Sequence, residues 1–322
     1  MEELQALSEN TMKYSVIIPV YNSYEVVGET IQYTVDFFES RKLDYELILV
    51  NDGSRDSSWE VVKEWATDKR PSQCIAIDLL KNYGQHSALF CGLMHASGDW
   101  CITLDDDLQI HPDEIEKLLP FTESDQYDLL VGRFEQKMHA LHRKLGSRLV
   151  NWMNIYLFHK PPDLTITTLR CIRHDVVSRM LQWKTPYPYI NGLMLMCSSR
   201  RKNIDVSHQP RKVGKSGYNF IKIVSLLMRI LFNYSSIPLR LFGAVGIACS
   251  LISFLIGLYF VVNKILGGVE VPGWTSLIVL LSFFNGIILL FLSMIGEYLV
   301  RLVRQTTESQ SFYIREIVKS SE

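Results

Sequence analysis

The chain has 322 residues, with 33 Lys and Arg against 34 Asp and Glu, for a net charge of −1. That balance gives no global bias toward nucleic acid, and none is expected as a partner. Its 48% hydrophobic content is high for a wholly soluble chain, and the length allows one large domain with an appendage. The six cysteines, Cys74, Cys91, Cys101, Cys171, Cys197 and Cys249, are scattered in apolar contexts without a Cys-x-x-Cys pair. They are read as reduced core thiols, and no zinc site is expected.

Residues 1–13 form a polar, acidic tail without the apolar core of a signal peptide. From Tyr14 onward, short apolar runs alternate with helical stretches. Strands are predicted at Tyr14–Val20, Tyr45–Val50, Cys74–Leu79 and Trp100–Leu104. Helices are predicted at Tyr24–Ser40, Asp56–Asp68, Ser87–Ala96 and Pro112–Leu119. Such alternation predicts an α/β fold with a mostly parallel sheet covered on both faces. Ligands bind such sheets beyond the carboxyl ends of the strands. Asn51-Asp-Gly-Ser54 and Asp105-Asp-Asp107 both fall at predicted strand ends.

Between Arg133 and Pro210 the pattern is weaker. A basic helical stretch, His142–Arg148, leads into Trp152–Phe158, and Leu164–Ile172 and Leu193–Ser198 read as strands. Tyr218–Tyr234 reads as an amphipathic helix, suited either to a membrane surface or to a globular domain. Two uncharged apolar runs follow, Leu241–Val262 and Trp274–Gly296. Each is roughly 20 residues, which as a helix reaches about 30 Å and crosses a hydrocarbon core. The short link, Asn263–Gly273, makes them a hairpin. Arg240, Arg301 and Arg304 flank the hairpin, against Lys264 alone in the link. The positive-inside rule then places the large domain and the C-terminus in the cytoplasm, at the cytoplasmic (inner) membrane. The expected organisation is a tail (1–13), a catalytic domain (14–217), an interfacial helix (218–238), two spans (239–300) and a cytoplasmic tail (301–322).

The acidic run Asp105-Asp106-Asp107 admits two readings. Adjacent carboxylates repel, and a hard divalent cation would relieve that repulsion and could bridge a diphosphate. A solvated acidic turn ahead of the helix near Pro112 is the alternative.

Several further motifs occur in order with that run. They are Ser15-Val-Ile-Ile-Pro-Val-Tyr-Asn22, Asn51-Asp-Gly-Ser-Arg-Asp56, Asn82-Tyr-Gly-Gln-His-Ser-Ala88, Leu104-Asp-Asp-Asp-Leu-Gln109 and Arg211-x-x-Gly-x-Ser-x-Tyr218, ahead of the hairpin ending Gly296-Glu-Tyr298. The set resembles family 2 glycosyltransferases of the polyprenyl-phosphate type, a group that includes dolichyl-phosphate mannose synthases, bactoprenol glucosyltransferases and undecaprenyl-phosphate formamido-arabinose transferases. The resemblance covers residues 14–300 and implies a GT-A-type nucleotide-binding domain.

It also implies roles. Asp105 and Asp107 would form an Asp-x-Asp pair holding Mg²⁺ or Mn²⁺ with help from Gln109, and Asp106 has no assigned function beyond the donor side. Pro19, Tyr21, Asn22, Glu25, Asp52, Asn82 and Gly84 would line the donor site. Arg133 and Arg143, with Arg211, Lys215 and Ser216, would hold the acceptor phosphate near the membrane. Gly217 stands where relatives often carry a Lys after that Ser. His86 is read as a loop or helix-start residue rather than a general base. The two-span relatives imply a homo-oligomer.

The implied reaction moves a sugar from a nucleotide sugar, with UDP favoured over GDP, to a polyprenyl phosphate, with undecaprenyl phosphate favoured. A phosphate monoester is mostly dianionic at neutral pH and attacks without a strong general base. A single in-line displacement with inversion is therefore expected, for cell-envelope glycan or lipid modification. The alternatives are a glycolipid or polysaccharide synthase using a hydroxyl acceptor, and a non-catalytic membrane scaffold. The Gln-x-x-Arg-Trp motif of processive synthases is absent.

Overall fold

A computed structural model describes residues 12–67, 73–134, 141–209, 220–235, 237–266, 273–306 and 311–320, with side chains for part of these. The chain divides into two compact units, residues 1–220 with 310–322, and residues 221–309.

The first unit is built on β1 (Lys13–Val20), α1 (Tyr24–Ser40), β2 (Asp44–Asn51), α2 (Ser58–Thr67), β3 (Cys74–Leu79), α3 (Gln85–Met94) and β4 (Trp100–Thr103). A 3₁₀ turn at Pro112–Lys117 and the short α4 (Leu119–Thr122) follow. Then come β5 (Leu129–Phe134), α5 (Leu141–Phe158), β6 (Arg170–Arg173), α6 (His174–Leu181), α7 (Ile190–Cys197) and β7 (Arg201–Val206). The unit closes with β8 (Ile314–Lys319) near the C-terminus.

These strands form one eight-stranded sheet in the order β7-β5-β6-β4-β1-β2-β3-β8. Strands β4, β1, β2 and β3 run parallel, while β6 and β8 are antiparallel to their neighbours. The central strands are apolar on both faces because helices cover both sides. In β1, Val16, Ile18 and Val20 join α1 residues Val27, Ile31 and Phe38 and α2 residues Val62 and Trp65 in one core. Ile17 points the other way, against Gly92 of α3. The strand order reverses between β1 and β4, which opens a crevice at their carboxyl ends.

The predicted elements up to β4 match the structure within one or two residues. The region after it needs correction. Leu193–Ser198, expected as a strand, lies within α7 and its cap. A short apolar run carries no decisive period, and its Leu and Met residues favour a helix. Only the end of the expected strand Leu164–Ile172 is extended, as β6. Strands β5, β7 and β8 went unpredicted. β7 is Arg-Lys-Asn-Ile-Asp-Val, the polar composition of a sheet edge rather than of a buried strand. Residues 314–319, expected as part of a tail, pair with β3. Cys74, Cys91, Cys101, Cys171 and Cys197 are free thiols, and the first four are buried.

The second unit contains α8 (Phe220–Tyr234), α9 (Ile237–Ile265) and α10 (Trp274–Thr306). Counting only the described residues, no helix is long and apolar enough to cross a membrane.

A methyl group added at Gly92 would meet Ile17 Cγ2 at 2.4 Å. Gly92→Ala is therefore expected to destabilise the protein by about 1–3 kcal/mol through overpacking between α3 and β1. Chemical denaturation of the full-length protein in detergent measures this, and an unchanged midpoint would contradict the packing.

Candidate active site at the strand ends

A cleft of about 280 Å³ lies at the carboxyl ends of the parallel strands. Pro19, Val20 and Tyr21 come from the end of β1, and Asp52 follows β2. Asn82, Gly84 and Gln85 follow β3, and Asp105, Asp106 and Asp107 follow β4. Four segments distant in sequence thus meet because the parallel sheet ends all four strands on one side.

Asp52 organises one wall of the cleft. Its carboxylate accepts from the backbone N–H of Tyr83 at 2.7 Å and of Gly84 at 2.9 Å. Burial nevertheless pushes its pKa up to about 6, the two N–H groups opposing the shift. Gly53 beside it has φ 62°, and a Cβ there would meet the Lys81 carbonyl carbon at 2.4 Å. Only glycine lets the two loops approach this closely. Gly84 also has positive φ, at 93°.

The three carboxylates of the acidic run are handled differently. Asp106 accepts from the Tyr21 N–H at 3.2 Å and from the Ser23 hydroxyl, and Thr30 Oγ1 donates to its carbonyl at 3.0 Å. Asp106 therefore ties the β1–α1 turn to the end of β4, a role the sequence did not reveal. Asp105 Oδ1 accepts from Gln85 Nε2 at 2.6 Å. Burial pushes its pKa up to about 7, with Asp107 and Asp106 adding to the shift. Asp107 Oδ1 accepts from the Gln109 N–H at 3.1 Å. Leu108 between them is buried with φ 55°, an uncommon conformation for a branched residue.

Arg170 lies close enough to Asp105 for each charge to act on the other. It is only 3% exposed, donates to Thr167 O and Asn191 Oδ1 at 2.8 Å each, and is lowered to about 10 by burial. Sequence reasoning missed Arg170, Gln85 and Ser23 as partners of this run. Gln85 sits inside a quoted motif, but its pairing with Asp105 is long-range and carries no local signal.

Not every expected site residue lines the cleft. Glu25 is exposed in the first turn of α1, and Gln109 is partly exposed beyond Asp107. Asn22, at φ 50°, instead braces the rim, its Oδ1 accepting from the Arg55 N–H at 2.8 Å. His86 packs edge-on to Tyr189 at 5.0 Å, and burial lowers its pKa to about 3, which fits a neutral packed ring and not a base. Arg133 forms a two-pronged ion pair with Asp205, its register partner on β7, at 2.6 and 3.0 Å. Arg143 belongs to α5, but its side chain lies outside the described residues, as do Arg211, Lys215 and Ser216.

The donor set fits a hard divalent cation. Asp105 and Asp107 offer oxygen ligands in one cleft, and their mutual repulsion is the kind a cation relieves. Among the described residues no cluster of three His, Cys, Asp or Glu side chains is arranged around a metal position. Two carboxylates with further oxygens from a substrate diphosphate is a common arrangement for Mg²⁺.

A mostly parallel sheet with a polar, carboxylate-bearing cleft at its switch point is the arrangement of a GT-A-like α/β fold. The sequence model of glycosyl transferase family 2 matches residues 15–179. The chain is 32% identical over 312 residues to an undecaprenyl-phosphate 4-deoxy-4-formamido-L-arabinose transferase of Proteus mirabilis, covering 96% of this chain and 95% of the relative. A protein of the same name from Yersinia enterocolitica is 33% identical over 313 residues, covering 97% and 95%. The fold resembles glucosyl-3-phosphoglycerate synthase from Mycobacterium tuberculosis, solved with Mn²⁺, UDP-glucose and phosphoglyceric acid, with a TM-score of 0.52 at 12% identity. That likeness covers 69% of this chain and 78% of the other. The chain belongs to glycosyl transferase family 2.

Because the folded pKa of Asp52 is raised, its contribution to stability is greatest at acid pH and is lost as pH rises through about 6. The stability of the wild type relative to Asp52→Asn is therefore expected to fall between about pH 4.5 and about pH 8. Paired denaturation curves at those two values check it, and a difference that grows with pH would contradict the buried environment of Asp52.

Proposed function

We propose that this protein is a membrane-bound inverting glycosyltransferase that moves a sugar from a nucleotide sugar, UDP-linked in preference to GDP-linked, to a polyprenyl phosphate, with undecaprenyl phosphate favoured. One observation carries the reading. Asp52, Asn82, Gly84 and Asp105–Asp107 converge on one cleft, in a chain similar along nearly its whole length to proteins named for transfer to undecaprenyl phosphate.

In this reading the β1 end and Asp52 take the nucleoside, and the loop of Asn82 and Gly84 approaches the diphosphate. Asp105 and Asp107 hold a divalent cation, with Gln85 and Arg170 fixing Asp105. When bound, that ion supplies charge neutralisation for the departing nucleoside diphosphate. The Mn²⁺ and UDP-glucose of the solved neighbour support a cation in this class of fold. Arg133 and Arg143, with the 211–216 segment, provide cationic groups for the acceptor phosphate. A dianionic phosphate needs orientation more than deprotonation, which suits a site beside which His86 is neutral and packed.

The reading includes a membrane hairpin formed by α9 and α10, with the catalytic unit and the C-terminus in the cytoplasm. Three observations support it. The helices have 29 and 33 residues, or about 43 and 50 Å at the standard rise. They expose large apolar side chains, among them Leu241, Ile247, Leu255, Phe283, Leu289 and Leu292, an outer surface suited to lipid. The helical unit is also inserted between residues 220 and 310 of the first unit, the connectivity that a two-span hairpin requires.

The test is nucleotide release by purified full-length protein over a panel of UDP and GDP sugars. Release only when polyprenyl phosphate is added is the expected result. Release with hydroxyl acceptors instead would favour a polysaccharide or glycolipid synthase, and release with neither would favour a scaffold. Asp107→Ala is expected to reduce cation-dependent turnover by about 100-fold or more, and near-normal turnover would remove Asp107 from the cation site. Arg143→Ala should raise the KM for lipid phosphate more than that for the donor, and an unchanged acceptor KM would argue against its assignment.

A further inference from the structure

The donor cleft is braced from the far end of the chain. Arg315 Nη1 donates to Asp78 Oδ2 at 3.0 Å, across 237 residues of sequence, and its Nη2 donates to the Leu80 carbonyl at 2.8 Å. The Leu80 N–H in turn donates to Tyr313 O at 2.8 Å. The segment of β8 thus grips Leu80 at both of its backbone polar groups, where the chain leaves β3 for the loop of Asn82 and Gly84.

The register shows how Arg315 reaches this position. Asp78 pairs with Glu316 and Leu79 with Ile314, so Arg315 is the extra residue of a bulge. Bulges commonly re-aim a side chain in this way.

A second branch runs through side chains. Asp78 Oδ1 accepts from Asn51 Nδ2 at 2.7 Å, and Asn51 Oδ1 accepts from Ser54 Oγ at 2.5 Å. Ser54 Oγ accepts from the Asn22 N–H at 3.0 Å. Asn51 adjoins Asp52, and Asn22 adjoins Tyr21, both of which line the cleft. Asp78 and Asn51 are each only 1% exposed. Without the Arg315 guanidinium, the Asp78 carboxylate is a buried charge that has lost its cationic partner, and the neighbouring groups must shift to resolvate it.

We infer that Arg315 is a positioning residue for the donor site, setting nucleotide affinity through Asp78 and Leu80 without touching the nucleotide. The inference rests on the donor reading above. β8 is the edge of the sheet, so the four parallel strands pair without it. What β8 adds is concentrated at the two residues that lead to the cleft.

The experiment uses full-length protein in detergent, with UDP and GDP titrated calorimetrically in the presence of Mn²⁺ and with steady-state KM for donor and lipid phosphate. Arg315→Ala is expected to weaken nucleotide binding and raise the donor KM by about 3- to 30-fold, with the lipid-phosphate KM unchanged. Arg315→Lys keeps a charge for Asp78 but lacks the planar fork that also reaches Leu80, so it should fall between. Adding Asp78→Asn to Arg315→Ala removes the stranded charge and should recover part of the affinity. That pair also keeps the test informative if Arg315→Ala alone folds poorly. A lowered melting temperature with unchanged donor affinity in these variants would make β8 a purely structural strand and overturn the inference. Wild-type protein that binds neither UDP nor GDP would instead overturn the donor reading, and this inference with it.

Discussion

Three consecutive carboxylates share one half-buried turn at the end of β4, and their mutual repulsion governs what surrounds them. Asp106 is held by the Tyr21 N–H and the Ser23 hydroxyl, which spends its charge on closing the β1–α1 turn. Asp105 is held by Gln85 and sits in the field of the buried Arg170. Burial and the neighbouring carboxylates still push its pKa up to about 7, against the pull of these contacts. In the proposed function a cation shared with Asp107 would complete the compensation, with a diphosphate supplying the remaining oxygens. The acidic-turn reading thus describes Asp106, while the proposed cation falls to Asp105 and Asp107.

The sheet makes that arrangement possible. Parallel strands deliver the ends of β1, β2, β3 and β4 to the same side, and the reversal between β1 and β4 leaves room between their loops. Hydrogen bonds between loops then replace regular structure. Asp52 holds Tyr83 and Gly84, Asp56 holds Tyr24 and Ser58, and Asn22 holds Arg55. A cleft built from loops would otherwise be mobile, and these polar ties pre-organise it for a charged ligand. In the proposed reaction the acceptor side would follow a different logic, with the apolar helices α9 and α10 serving a lipid tail and the arginines its phosphate.

Much of this was legible in the sequence wherever local pattern and site coincide. β1 through β4 are continuous apolar runs ended by polar turns, so their limits and the position of Asp52, Asn82, Gly84 and Asp105–Asp107 at strand ends could be read directly. The second half of the sheet could not. β7 is a polar edge, β6 is four residues long, and α7 has the same apolar composition as a buried strand. Long-range partners were equally hidden, because nothing near Asp106 announces Ser23 and nothing near Asp78 announces Arg315. The tail proved to be part of the sheet because Ile314–Lys319 pairs with β3 only once the fold has formed.

The central claim is that Asp105 and Asp107 hold a divalent cation against a nucleoside diphosphate. The most direct measurement is a manganese anomalous difference map from crystals of the protein grown with UDP and Mn²⁺. The account predicts one peak within coordination distance of Asp105 and Asp107 oxygens, in contact with the diphosphate, and no such peak in Asp107→Ala. Bound UDP with manganese elsewhere, or with no manganese at the end of β4, would contradict it.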